Sequence, residues 1–506
     1  MISNIEHEAQ VSLPFFPKPP KEGTAGDLAI FASLVAVLYL PYFVPQSPVA
    51  SESYVFGYNN RAAVILLPVL CGAIAIWKQG FHLNLLGAGK AERISRRTVA
   101  ICLLCQLLAC VAMILISKPF GGFRESVYEI DRIWLLSHGK IPYTGFEWPF
   151  GALFLYGPLW IAALLHMSPA GGYYVFWTAA SVAGVGLLSS TIGRLNYPSG
   201  RKQSIFLLFF AVYLPATLSM GTHYTLLRFI SPFYCMLVVY DVSTGRETRH
   251  SGTVAAILAF CFAAVLLLIS PEMAIAFCFG CAVLLMPYGA RRRNSGAVRL
   301  SAYVTLLAAL ALLFTTAYKL HVLDTLLASG GGADSFPIPL SAPTLFFFGV
   351  IFVSACVLVR RWRVPSLNDN SVVLIVVSVP LLAAALGRCD PGHMAANGMG
   401  LFLAIALYAS ASARGWRAFA ITYVVVMLVL PSYVLVRYVI PQIGATAVKA
   451  AERSVSPAPG ERIDFASIYH GFNSAGTDGI LEAPFGYKPN GLGSYLATDV
   501  DYGFYE

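Results

Sequence analysis

The sequence is short of charge. Only 12% of its 506 residues are Asp, Glu, Lys or Arg, about half of the roughly 25% found in soluble domains. That deficit excludes a chain bathed in water on all sides. A Walker-type phosphate loop is missing as well, which removes ATP-driven transport from the reading. No Asn-x-Ser/Thr sequon occurs, so nothing points to a compartment where such sites are glycosylated. Cysteine is present without a framework, since nine of the ten lie within apolar segments. Cys102/Cys105 and Cys278/Cys281 have CxxC spacing but no companion ligands, and they read as small packing residues. Cys389 alone falls in a predicted loop, so no disulfide set follows. The net charge of +9 comes without any nucleic-acid-binding motif. Its basic residues sit in short clusters between apolar runs, where membrane topology accounts for them.

What the chain has in quantity is apolar length. It is 57% hydrophobic, with a mean hydropathy of +0.69. Runs near 20 residues can cross a hydrocarbon core roughly 30 Å thick. In lipid they satisfy their backbone only as helices. The predicted spans are 26–45, 61–77, 98–117, 172–192, 204–220, 226–240, 252–270, 272–288, 299–318, 343–360, 371–387, 397–412 and 417–438. The expected fold is all-α, a polytopic transmembrane helical bundle of about 13 spans.

The stretch 151–166 is a further candidate, and charge asymmetry argues against it. If it does not cross, the inside loops hold Lys78, Lys90, Arg93, Arg96 and Arg97, followed by fourteen Lys and Arg in the later inside loops. Arg388 is then the clear exception outside. If it did cross, those fourteen charges would move outside, against the positive-inside rule. The stretch is also short and interrupted by Gly157-Pro158. It reads as an interfacial or re-entrant helix on the outer face.

Three regions follow. Residues 1–25 are polar and proline-rich, without a cleavable signal pattern, and read as a cytoplasmic tail. Residues 26–440 form the transmembrane domain, with a long outer loop at 118–171. Residues 441–506 follow a Pro457-Ala458-Pro459-Gly460 linker and read as an extracytoplasmic region. The tail is cytoplasmic and the C-terminus extracytoplasmic, and a bacterial inner membrane is the expected location.

This topology collects the unusual polar residues on the outer face. In the loop 123–160, Glu125, Glu129 and Asp131 crowd seven residues. In a helix, 125 and 129 share a face while 131 lies to one side. Clustered carboxylates raise one another's pKa, which suits a general base, or hold a divalent metal such as Mg or Mn. The plainer alternative is an interfacial helix whose acidic face is solvated and paired with Arg124 and Arg132. Trp134, Tyr143, Phe146, Trp148 and Phe150 would anchor the loop at headgroup level. Glu272 stands in the tight turn Ser270-Pro271-Glu272-Met273, at the bilayer edge or merely tolerated there. Arg388, Asp390 and His393 flank another span end. Either Arg388 and Asp390 cap a helix, or Arg388 grips a phosphate with its planar fork and His393 is a second donor. Arg228, next to His223, would share that load. Gly330-Gly331-Gly332 is a flexible outer loop without the strand and helix of a phosphate-binding loop.

An acidic group after an early span, then Gly139-Lys140-Ile141-Pro142-Tyr143 with Phe146, and then Tyr156-Gly157-Pro158-Leu159, resembles the first outer loop of GT-C superfamily glycosyltransferases. The resemblance covers roughly residues 98–290. It implies a membrane enzyme that uses a polyprenyl-phosphate sugar, with an acidic residue of this loop as catalytic base and interfacial helices beside it. Many members carry adjacent acidic residues, whereas here the pattern is Glu125, Glu129-Ile130-Asp131, so the identity of the base stays open. The implied partners are a polyprenyl-phosphate-linked sugar donor, a glycan, lipid or protein acceptor, and membrane lipids, with no nucleic acid. An O-antigen polymerase or ligase is an alternative, although those enzymes usually place their large outer loop late. A transporter or lipid-carrier flippase is another, and it predicts charge near the midplane of the spans.

Overall fold

A computed structural model describes residues 32–44, 58–77, 94–117, 124–146, 148–195, 201–245, 251–291, 296–324, 326–327, 336–363, 370–410 and 412–429. Among these residues the protein is all-helical. The principal helices are α1 (Asn60–Trp77), α2 (Arg96–Ser117), α3 (Arg124–Ser137), α4 (Leu153–Leu164), α5 (Pro169–Arg194), α6 (Lys202–Ser219) and α7 (Leu226–Gly245). They continue with α8 (Ser251–Ile269), α9 (Pro271–Arg291), α10 (Gly296–Lys319), α11 (Ala342–Arg363) and α12 (Ser371–Arg388). The last three are α13 (Pro391–Asn397), α14 (Met399–Ala409) and α15 (Ala413–Val424). The tail 1–25, Gly330 to Gly332, Asp334 and the region 441–506 lie outside the described residues.

Among the described residues eight helices are long and apolar enough to cross a membrane: α1, α2, α5, α7, α8, α10, α11 and α12. The 397–412 segment, expected as one span, falls largely in the second half of a bent pair. Helices α13 and α14 pass the test together, with a 74° bend between them at Gly398. Shorter apolar helices cover Ala32–Tyr42, Leu153–Leu164, Lys202–Pro215 and Pro271–Leu285. Burial sorts the long ones. Two thirds of α7 and α12 is buried, against 17% of α2, so α7 and α12 form the centre while α2 shows its apolar side outward. Close approach between α5 and α7 depends on Gly184, where a Cβ would run into the backbone of Leu227.

Hydrogen bonds sort the helix ends into two layers. At one end, Arg194 of α5 pairs with Asp241 of α7 at 3.2 Å, and Asn370, just before α12, donates to the Arg194 carbonyl. Arg201 there donates to the Ser412 carbonyl. At the other end, the Gly151 amide donates to Ile269 at the close of α8. The amide of Phe336 and the side chain of Asn60 both reach the Gly387 carbonyl at the close of α12.

Helix α4 has 12 residues, about 18 Å at 1.5 Å per residue, too short for a core of roughly 30 Å. It packs with α3 on a small second core of Cys110, Ile133, Phe146, Trp148, Phe154, Leu155, Tyr173, Trp177 and Ile269. Cys110 lies late in α2 and Tyr173 early in α5, so the segment between them leaves and re-enters the bundle at the same end. Trp148 departs from the expected headgroup anchor. It is fully buried and donates its indole N–H to the Gly151 carbonyl, because its ring is needed to fill the gap beneath α3.

Candidate functional site

The site lies at the bundle end where α3, the start of α5 and α7, the α8–α9 junction and the α12–α13 junction meet. Helix α3 turns Ser126, Glu129, Arg132 and Ile133 inward, a spacing of three or four residues that selects one helical face. Glu129 is 1% exposed and accepts four hydrogen bonds. Oε2 receives the Tyr173 hydroxyl and, at 2.7 Å, the Thr222 amide. Oε1 receives the His223 amide at 3.2 Å and His223 Nδ1 at 2.9 Å. The turn Thr222–Tyr224 between α6 and α7 is therefore built around this carboxylate. Gly221 allows it, since a Cβ there would strike the Glu129 carboxylate and come within 3.1 Å of His223 Nδ1.

His223 stacks on Phe150 with ring centroids 4.2 Å apart, and its carbonyl accepts Arg228 Nη1 at 2.9 Å. Arg228 is buried and pairs through Nη2 with Glu272. Its Nε lies 3.3 Å from Ser270 Oγ, and the guanidinium sits 4.7 Å above the Phe150 ring. The polar turn between α8 and α9 is thus a seat for this cation.

On the other side of His223, the Tyr224 hydroxyl lies 2.8 Å from His393 Nε2. Asp390 caps α13, accepting the His393 amide at 2.9 Å on Oδ1 and His393 Nδ1 at 2.5 Å on Oδ2. Burial raises the Asp390 carboxyl, but the charge and hydrogen bonds of His393, with help from Arg388, outweigh it and pull it down to about 2. Arg388 rests over the Phe336 ring at 5.7 Å. Between them, Cys389 adopts a left-handed conformation with φ of 53°, which ends α12 and swings the chain into α13. Burial pushes its thiol up to about 12, so it stays protonated.

Glu129, His223, Arg228, Glu272, Asp390 and His393 thus fall into one connected group, with Arg388 at its edge. Asp131 is not part of it. It lies to one side of α3, 28% exposed, with Arg132 Nη1 at 2.9 Å. Burial raises its carboxyl, partly offset by Arg132. Glu125 is on the first turn of α3 and its side chain lies outside the described residues. Among the described residues no three His, Cys, Asp or Glu side chains converge on a point that would hold a metal ion. Glu129 and Asp131 diverge, as residues two apart on a helix must. Nothing in the sequence singles out Tyr173 and Tyr224. Each looks like one more interfacial tyrosine until its distant partner is known.

No family model, curated protein or solved structure matches the chain.

Proposed function

We propose that this protein is a membrane glycosyltransferase that moves a sugar from a polyprenyl-phosphate donor to a hydroxyl at the extracytoplasmic face. The observation that carries the reading is the joining of the buried Glu129–His223 pair to the Arg228–Glu272 pair and to the Asp390–His393 turn at one end of the bundle. Inverting transfer needs a group that accepts the hydroxyl proton and a cationic environment for the departing phosphate. Both kinds of group are present, beside the interfacial shelf of α3 and α4, where a lipid-linked donor would arrive from the side. Candidate proton acceptors are Glu125, Glu129, Asp131 and His393, and candidate phosphate ligands are Arg388 and Arg228. The phosphate is a good leaving anion, so a strong general acid is not required.

In this reading the protein crosses a bacterial inner membrane 13 times, with the N-terminus inside. The eight long helices, the bent α13–α14 pair, three of the shorter apolar helices and α15 with its continuation to Val429 together supply the crossings, and α4 stays in the outer interface. The acceptor is a glycan, lipid or protein. Membranes carrying the protein should transfer label from at least one of a panel of polyprenyl-phosphate pentoses and hexoses. Transfer should fall with Glu129→Gln and with Arg388→Met. No transfer above vector membranes from any donor would refute the assignment.

One observation favours a second reading, a lipid-carrier flippase. Broken helices near the midplane line many transport pathways, and the α13–α14 bend holds Asn397 buried with its amide oxygen unpaired. Movement of a fluorescent polyprenyl-phosphate lipid across proteoliposome membranes, without sugar transfer, would select it.

A further inference from the structure

We propose that His393, oriented by Asp390, is the general base of this site, taking the acceptor's hydroxyl proton on Nε2. The inference rests on the transferase reading above and assigns a role that the acidic loop would otherwise hold.

Two observations lead to it. The first concerns Glu129. An ionised carboxylate offers about four lone-pair positions, and four donors already occupy those of Glu129. Two of them are backbone amides fixed in the 222–224 turn, so they do not swing aside for a substrate. At 1% exposure its carboxylate is also shielded from an incoming hydroxyl. Glu129 is the tie that holds this turn and, through the His223 carbonyl, Arg228. Asp131 points elsewhere and is engaged by Arg132.

The second is the arrangement Asp390–His393–Tyr224. A carboxylate that accepts from Nδ1 fixes the imidazole tautomer and leaves Nε2 as the acceptor. Nε2 then faces a hydroxyl, that of Tyr224, at 2.8 Å, within the reach required of a base and the proton it abstracts. The Tyr224 and His393 rings meet edge to face at 85°, with centroids 5.6 Å apart. The His393 side chain is 19% exposed and Asp390 48%, which leaves this pair far more accessible than Glu129. The charged or titratable groups beside them include Arg388 and Cys389, adjoining Asp390, and His223 and Arg228, near Tyr224.

The step balances without a co-reactant. An acceptor hydroxyl takes the place of the Tyr224 hydroxyl at Nε2 and gives its proton there as its oxygen bonds to the anomeric carbon. The bond from that carbon to the phosphate oxygen breaks, and its electron pair leaves with the polyprenyl phosphate. The imidazolium that forms is stabilised by Asp390 and later loses its proton to bulk water.

The test uses the full chain in lipid nanodiscs, with variants accepted only if monodisperse. Diethyl pyrocarbonate labelling of His393, read by mass spectrometry, reports Nε2 directly. Tyr224→Phe should speed it severalfold by uncovering the nitrogen, and Asp390→Asn should slow it. Rates unchanged in both variants would overturn the dyad whatever the protein transfers. In the transfer assay, His393→Gln should lower kcat by about 10²–10⁴-fold and abolish the rising limb of the pH–rate profile. Undecaprenyl phosphate binding should stay within about twofold of wild type, because a base contributes little to ground-state binding. Weakened undecaprenyl phosphate binding with the limb retained would make His393 a phosphate ligand and overturn the proposal. Expected labelling rates with no sugar transfer by wild type would instead bring down the transferase reading alone.

Discussion

Arg228 reaches from the first turn of α7 to Glu272 on the first turn of α9, and its guanidinium lies 4.7 Å over the ring of Phe150, just ahead of α4. One cation therefore joins three segments that are far apart in the chain. Removing a single partner from such a pair leaves the other charge buried and uncompensated, whereas removing both often costs little. Arg228→Met should destabilise the protein by about 3 kcal/mol, and the double variant Arg228→Met/Glu272→Leu by much less. Denaturant unfolding in detergent, arranged as a double-mutant cycle, reads the difference. A loss in the double variant equal to the sum of the losses in Arg228→Met and Glu272→Leu alone would show that the pair is not coupled.

Gly221 supplies a second check on the same turn. A methyl group there would meet the Glu129 carboxylate, so Gly221→Ala must displace either the acid or the 222–224 turn. A loss of about 1–3 kcal/mol is expected, the range for local backbone strain. Gly186 of α5 is the matched control, because a methyl group added there would find nothing within 4 Å. Gly186→Ala should be neutral or slightly stabilising, because Ala suits a helix interior better by roughly 0.5–1 kcal/mol. Thermal melts of the two variants side by side decide the point.

Much of this architecture is legible in the sequence because two physical signals are strong. Apolar runs of span length leave helices as the only solution, and the basic clusters sort loops to one side. Together they place Glu129, His223, Glu272 and His393 at a common end, where the structure also has them. The pairings are not legible. Glu129 and Tyr173 are 44 residues apart, Tyr224 and His393 169, and no local pattern marks a tyrosine as the partner of a distant acid. Trp148 misleads for a related reason, since an aromatic near a membrane interface suits a headgroup or a core equally well until its neighbours are known. The bend at Gly398 lies at the polar edge of the predicted span 397–412, just after Asn397, and an apolar pattern that begins there does not show the short helix Pro391–Asn397 before it.

Asp390 gives the protein a pH signature. Its carboxyl titrates at about 2 in the folded protein and near 3.9 when unfolded. A depressed value means that the clasp on His393 contributes in full above about pH 4, and that the contribution fades as pH falls toward 2. Asp390→Asn should therefore lower the melting temperature at pH 5, and the gap to wild type should close between about pH 4 and 2. A gap that widens on acidification would contradict the sign.

The last prediction concerns α4, on which the whole placement of polar residues depends. If α3 and α4 form a shelf at one end of the bundle, positions on either side of α4 must face the same compartment. Ile141, 68% exposed ahead of α4, and Met167, 36% exposed after it, are suitable reporters. The ten native cysteines are all free, seven of them buried, so replacing exposed Cys105 and Cys261 and half-buried Cys278 by Ala gives a quiet background. In sealed right-side-out vesicles, Ile141→Cys and Met167→Cys should both react with an impermeant maleimide. Arg201→Cys, at the opposite end beside Ser412, should react only after the vesicles are opened. Opposite behaviour of 141 and 167 would mean that α4 crosses, which would put Glu129 and His223 on different sides of the membrane. Their 2.9 Å contact forbids that arrangement, so labelling of 141 and 167 from one side is the outcome the geometry requires.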